Sequence, residues 1–355
     1  MIRILDLYIA RTIIGSTAVC LLVLTGLSGL IKFVDKLRWV GKGDFTSFDL
    51  LTYVLFLVPR DLEMFFPIAA MLGALIGMGM LAQSSELTVM QAAGLSRLNI
   101  AFSVLKTALP LMLCVMLIGE YVAPVAEQTA REFAAQKRSG GSLIQSSRNG
   151  LWAKDGERFV NIKEVEDAFN LNDVTIYRFD EQLQLRHVLH AKSAVYQQDH
   201  WQLHSVTETQ LGDEQVTTSS DVAGQWQSNL TPDKLQVVTV SPESLSISGL
   251  VDYLDYLNAN QQDPTRYELA LWRKIAQPVT VAVMMLLGLS FIFGPLRSVT
   301  MGARLLLGVV TGFGFYISNE IFGPMSLVMG LPTFLGAMLP SMLFAVAGYY
   351  LLQRR

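Results

Sequence analysis

Charge is scarce in this sequence. Asp, Glu, Lys and Arg together supply 16% of 355 residues, while 51% are hydrophobic. A soluble chain of this length would need more charge on its surface, so the composition is that of an integral membrane protein. The formal net charge of -3 offers no basic excess for a nucleic-acid backbone. Only two cysteines occur, Cys20 and Cys114, each inside an apolar run. That excludes a disulfide framework, and no Cys/His spacing suits a metal. Both are read as small buried hydrophobes. The four histidines, His187, His190, His200 and His204, lie in strand-like text and read as strand-face residues rather than ligands or bases. G-x-x-x-x-G-K-[ST], H-E-x-x-H and G-x-S-x-G are absent. No cofactor, metal or catalytic group is expected.

Long hydrophobic runs are what the sequence has instead. A span needs roughly 20 mostly apolar residues, and six segments qualify: Thr12–Val34, Phe65–Ala82, Ile100–Ala123, Ile275–Gly294, Ala303–Gly323 and Leu331–Leu352. The second reads as extended backwards by "LLTYVLFLV" before Pro59. The first is too long for the apolar core of a signal peptide, and no A-x-A-like site follows it. Gly73/Gly77 and Gly308/Gly312 have the G-x-x-x-G spacing of closely packed helices.

Three spans, a gap and three spans divide the chain into residues 1–123, 124–272 and 273–355. Lys and Arg near span ends set orientation. With the N-terminus inside, Arg3, Arg11, Arg97, Lys106, Arg297, Arg304, Arg354 and Arg355 fall on the cytoplasmic side. Both termini are then cytoplasmic and the gap lies outside. Lys32, Lys36, Arg38 and Lys42 violate the rule and need a reason.

The gap reads as a β-domain of sandwich or jelly-roll type. Short runs rich in Val, Ile, Tyr, Trp and Phe alternate with polar residues and are split by "KDG", "DEQ", "QQDH" and "LGDE". Short helices follow in "SPESLSISGLVDYLDYLNANQQDPTRYELALWRK".

One cytoplasmic stretch, "SSELTVMQAAGLSR", is too short and polar to span. Ser84 or Ser85 can cap a helix there, Glu86 suits its positive end, and Gly94 can stop it in the left-handed conformation. Leu87, Met90 and Gln91 share one face. The segment at about 84–96 is either an ordinary interfacial turn or a coupling helix seated in a cytoplasmic motor. The second fits a permease without its own nucleotide-binding motif.

"SGLIKFVDKLRWVGKG", "FFPIAAMLGALIGMGMLAQSSELTVMQAAGLSR", "GLWAKDG", "NLTPDKL", "LSISGL" and "LSFIFGPLRSVTMGAR" resemble, in order, the lipopolysaccharide export permeases of the LptF/LptG family. The resemblance covers nearly the whole chain. It implies six transmembrane helices with a periplasmic β-jellyroll inserted between the third and fourth, in a bacterial inner membrane. It implies a heterodimer with LptF, an LptB ATPase dimer and LptC, the jellyroll joining a bridge toward the outer membrane. Glu86 matches the coupling-helix glutamate. Lys32 matches a lysine that meets lipid phosphate. Arg38 matches the first of two basic residues, the second being Trp39 here. Arg131 matches a basic residue near the cavity mouth, and the basic residue usual three positions on is Ala134 here. Phe65, Phe66, Tyr316 and Phe322 are candidates for an acyl-chain wall, with ordinary helix packing as the alternative.

The activity implied is extraction of lipopolysaccharide from the outer leaflet, driven by ATP hydrolysis on a separate subunit. Lys and Arg form charge-assisted hydrogen bonds to phosphate, which would explain the outer cations. Snorkelling of Lys32 to ordinary headgroups is the alternative. Two other functions compete: a permease of another lipid or lipoprotein ABC exporter, and a non-transporting membrane scaffold.

Overall fold

A computed structural model describes residues 4–139, 150–155, 158–165, 169–180, 184–197, 200–212, 215–228, 230–232, 241–293 and 300–353. Arg3, Arg297, Arg354 and Arg355, which entered the orientation argument, lie outside the described residues. The chain divides into two compact units. The first comprises the chain up to Asp35, Val54–Glu127 and the chain from Thr265 on; the second comprises Lys36–Tyr53 and Gln128–Pro264.

Six helical stretches are long and apolar enough to cross a membrane. They are α1 (Ile4–Lys36), α3 (Val58–Gln83), α5 (Arg97–Leu117) running through a π-turn at Ile118–Val122 into α6 (Ala123–Ser139), α8 (Thr265–Phe293), α9 (Met301–Val328) and α10 (Thr333–Gln353). Two short helices stand apart, α2 (Ser47–Phe56) and α4 (Glu86–Ala92). The backward extension of the second span does not hold. "LLTYVLF" belongs to α2, and α3 starts afresh at Val58 with Pro59 in its first turn. Proline lacks an N–H, so it suits a first turn, where that donor would have no partner. α2 has its own start signal. Thr46 Oγ1 accepts from Asp49 N at 3.2 Å, and Asp49 Oδ2 accepts from Thr46 N at 2.9 Å, a reciprocal capping box.

In the helical unit, α3 is central. Of its most apolar window 72% is buried, against 22% for α1 and 17% for α9, so those two are the spans least enclosed by the rest of the unit. α8 packs on α3, α5 and α10. Close approach is built with glycine, as the spacing predicts. A Cβ at Gly73 would collide with Thr17 of α1, and one at Gly308 with Leu75 of α3. Ser16 Oγ donates to the Gly73 carbonyl at 2.8 Å. Cys20 is buried, but Cys114 is exposed. The expectation for Cys114 fails because it faces out from α5, where a membrane supplies the apolar surroundings.

The second unit carries one antiparallel sheet with its strands in sequence order: β1 (Leu151–Asp155), β2 (Arg158–Val165), β3 (Asn170–Phe179), β4 (Leu185–Gln197), β5 (His200–Leu211) and β6 (Val216–Trp226). Strands break at all four turn signals. β4 and β5 run 13 and 12 residues, longer than expected, because no Gly or Pro interrupts 185–211. Trp201 and Trp226 are fully enclosed with ring centroids 6.0 Å apart. Their N–H groups donate to the Leu230 carbonyl and the Asp155 carboxylate at 2.9 and 3.0 Å. Helix α7 (Ile247–Ala259) follows, capped by Ser246 Oγ accepting from Gly249 N. Asn229 lies outside the described residues.

Candidate functional site

Among the described residues, the ion pairs of the helical unit fall into two groups, one at each end. At the end holding the start of α1, the 84–96 segment folds into α4. No serine cap forms. Ser85 takes the N-cap place with φ at +64° and no side-chain hydrogen bond, and Ser84 Oγ donates to Glu86 Oε1 at 2.9 Å. The C-terminal stop is as expected. Gly94 has φ of +91°, Gly94 N donates to the Gln91 carbonyl and Leu95 N to the Met90 carbonyl, a Schellman closure.

Leu87 and Met90 turn inward into the apolar core, 5% and 8% exposed. They therefore anchor the helix and leave the outer face to Thr88, Val89 and Ala92, with Glu86 and Gln91 half-buried. The sequence pattern found the right stripe but assigned it to a partner, because an amphipathic repeat does not say which side is dry. Glu86 Oε2 accepts from Tyr8 Oη of α1 at 2.8 Å. Nearby, Asp6 accepts from Lys106 Nζ at 2.7 Å and from Ser103 Oγ at 2.5 Å. Beside α4 lies a cavity of about 290 Å³ whose lining includes Leu87, Thr88, Gln91, Arg97, Phe293 and Arg304. The Arg97 guanidinium lies over the Phe293 ring at 5.9 Å.

At the other end, the first turns of α3 collect ionic partners. Lys32 Nζ reaches Asp61 Oδ1 at 2.5 Å. Arg60 Nη1 reaches Glu63 Oε2 at 2.9 Å, and Lys274 Nζ of α8 reaches Glu63 Oε1 at 2.7 Å. Lys274 also lies 3.4 Å from the Gly119 carbonyl in the π-turn. None of Asp61, Glu63 and Lys274 was singled out from sequence. The signal was available in "PRDLE" and "LWRK", where charges abut apolar runs.

The aromatic candidates separate. Phe66 is 3% exposed and belongs to the apolar core, so it is not available to a ligand. Phe65, Tyr316 and Phe322 are half-buried.

In the second unit Arg38 is exposed, and Arg131 Nη2 lies 3.4 Å from Ser244 Oγ. Trp39 occupies the place where a second base was expected, and cations gather on it. Arg138 lies over its ring at 4.2 Å and Lys36 Nζ at 5.0 Å, within cation–π range. Phe45 and Tyr53 meet the same ring edge-on. Asp49 lies 3.6 Å from Lys137. Hydrogen bonds from the Thr46 hydroxyl and backbone hold the Asp49 carboxyl below its ordinary value, and the Lys137 charge acts the same way. Arg138 and Lys137 are functional candidates that sequence reasoning missed. The histidines sit on strand faces, His187 3.1 Å from Glu208 and His190 3.6 Å from Asp173.

The family of lipopolysaccharide export system permeases LptF/LptG matches residues 7–354. The chain belongs to this family. It is similar to the lipopolysaccharide export system permease protein LptG of Escherichia coli K12, 50% identical over 355 residues, which cover 99% of this chain and 98% of that protein. The LptG of Haemophilus influenzae Rd is 48% identical over 357 residues, covering 100% and 99%. As an LptF/LptG permease the chain is a multi-pass inner-membrane component of a transport system, with six apolar helices and a β-domain between the third and fourth.

Proposed function

We propose that this chain is the permease subunit that extracts lipopolysaccharide from the outer leaflet of the inner membrane and passes it to a periplasmic bridge. A separate LptB ATPase dimer supplies the work, LptF forms the other half of the cavity, and LptC stands alongside. The termini and α4 face the cytoplasm, and the β-domain faces the periplasm. The observation that carries this reading is α4. It is anchored by Leu87 and Met90, tied to α1 through Tyr8 and Glu86, and presents Thr88, Val89 and Ala92 outward. A rigid helix fixed between two spans can transmit closure of a cytoplasmic motor to both.

At the opposite end Lys32 stands near headgroup depth, with Arg38 and Arg131 further along the chain as basic contacts for lipid phosphates. Phe65, Tyr316 and Phe322 are the acyl-wall candidates that remain. Extraction needs coupled work because each CH₂ exposed to water costs about 0.8 kcal/mol. Glu86→Ala tests the reading. It should leave assembly intact while ATPase activity and lipid release fall together. Normal release from a normally assembled variant would overturn the assignment.

A further inference from the structure

Lys32 already has a partner. We propose that Asp61 is an internal counter-ion that competes with the lipid's phosphate for Lys32 and so sets how firmly the basic rim holds its substrate. The proposal rests on the reading of Lys32 as a phosphate contact and concerns a residue that reading does not use.

Geometry supports exchange at this pair rather than at its neighbours. The Lys32 side chain is 31% exposed and Asp61 only 3%, so a ligand can approach the ammonium but not the carboxylate. The other charges of the turn are committed. Glu63 is held by Lys274, which is 8% exposed, and by Arg60, which also lies 3.9 Å from Glu127. An ammonium is a compact point charge on a flexible stem, so it can leave one oxyanion for another without the geometric penalty of a bidentate guanidinium. Asp61 lies close to the N-terminus of α3, whose dipole favours a carboxylate there while the lysine is away.

The consequence is a rim that binds without trapping. When phosphate takes Lys32, a nearly enclosed carboxylate loses its counter-charge, an unfavourable state. When the lipid moves on, Asp61 takes the lysine back. Binding is weakened and release is favoured by the same contact, which suits a protein that must pass its cargo onward.

The test uses the assembled complex in nanodiscs, lipopolysaccharide with its lipid A phosphates intact or enzymatically removed, and retention measured before and after ATP. Asp61→Asn keeps the side chain's size and removes its charge. Retention of the phosphorylated lipid should rise roughly two- to fivefold, the factor set by one partly exposed ion pair, and ATP-driven release should slow. Dephosphorylated lipid should show no gain. Lys32→Gln should lower retention of the phosphorylated lipid, and the double variant should match Lys32→Gln alone.

Lower retention in Asp61→Asn would mean that Asp61 orients the lysine for the phosphate, which overturns the proposal. So would a gain that survives in the Lys32→Gln background or with dephosphorylated lipid. If Lys32→Gln lowers retention and Asp61→Asn changes nothing, the counter-ion role fails alone. If Lys32→Gln has no effect, the phosphate reading of Lys32 itself fails. Asp61→Ser is the second variant should Asp61→Asn not assemble, with the same outcomes.

Discussion

Lys274 and Glu63 meet 2.7 Å apart inside the helical unit, their side chains 8% and 5% exposed. They join α8 to α3 where Gln277 Nε2 also donates to the Glu63 carbonyl at 3.0 Å. An ion pair so enclosed contributes little relative to an apolar pair, and breaking it leaves Glu63 with Arg60 as its one remaining cation among the described residues. Lys274→Met should therefore destabilise the protein by about 1.5–3 kcal/mol, the loss of one charged hydrogen bond. Lys274→Met combined with Glu63→Gln should recover only part of that loss, because Arg60 then has Glu127, 3.9 Å away, in place of Glu63. Thermal unfolding in detergent checks both, and equal melting of single and double variants would show that the charge is not what matters.

Tyr8 and Glu86 allow the internal and external roles of the glutamate to be separated. Tyr8→Phe removes one hydrogen bond, worth about 0.5–1.5 kcal/mol, and leaves the carboxylate in place. If Glu86 acts on a partner ATPase, Tyr8→Phe should keep coupled ATPase activity where Glu86→Ala loses it. If the two variants uncouple alike, Glu86 acts by tying α4 to α1. Steady-state ATPase rates with and without lipid decide this.

How much of this was legible beforehand differs by element, for physical reasons. The six spans, the four turns among β1–β5 and β6, and the Gly94 stop were legible because hydrophobic length, turn residues and positive φ are local properties. The break at Leu57 was missed because an apolar run continues across it, although Pro59 marked the place. Leu87 and Met90 show a different limit: their 3.6-residue period was right, but which neighbour they meet is decided by α4 folding back on its own spans. Asp61, Glu63 and Lys274 were not found because their significance lies in pairing, across 29 residues for Lys32 and Asp61 and 211 for Glu63 and Lys274. Trp39 looked like the loss of a cation, whereas the fold brings Lys36 and Arg138 to its ring.

Tyr256 gives the β-containing unit an alkaline limit. Its hydroxyl donates to the Lys154 carbonyl at 2.8 Å, and burial, helped by the Asp155 charge, pushes its phenol up to about 12. Because the folded value lies above the unfolded value, the folded state holds its proton longer. The stability this contributes is complete below pH 10 and is lost as pH rises from 10 toward 12. Tyr256→Phe should flatten the alkaline limb of stability against pH while lowering stability at neutral pH by about 1 kcal/mol. Tryptophan fluorescence of Trp201 and Trp226 during alkaline unfolding reads it, and an unchanged alkaline limb would assign the transition to another group.

Val89 and Met90 are adjacent on α4 and should respond oppositely to the same change. Val89 is 66% exposed and Met90 is 8% exposed within the apolar core. Aspartate at position 90 would place a charge among apolar side chains without a partner, which is strongly unfavourable, so Met90→Asp should lower permease yield and melting temperature. Aspartate at position 89 meets solvent in the free permease and should change stability by less than about 0.5 kcal/mol. If the outer face of α4 seats in the ATPase, Val89→Asp must desolvate that charge on assembly and should reduce ATPase co-purification while the permease itself stays folded. Val89→Ala, which removes only methyl groups, should have a smaller effect of the same sign. Loss of ATPase from Met90→Asp in proportion to lost permease, with full ATPase retention by Val89→Asp, would place the motor's contact elsewhere than Thr88, Val89 and Ala92. The ratio of ATPase to permease in each purified variant is therefore the deciding measurement, because it separates a contact surface from an anchor on the same seven-residue helix.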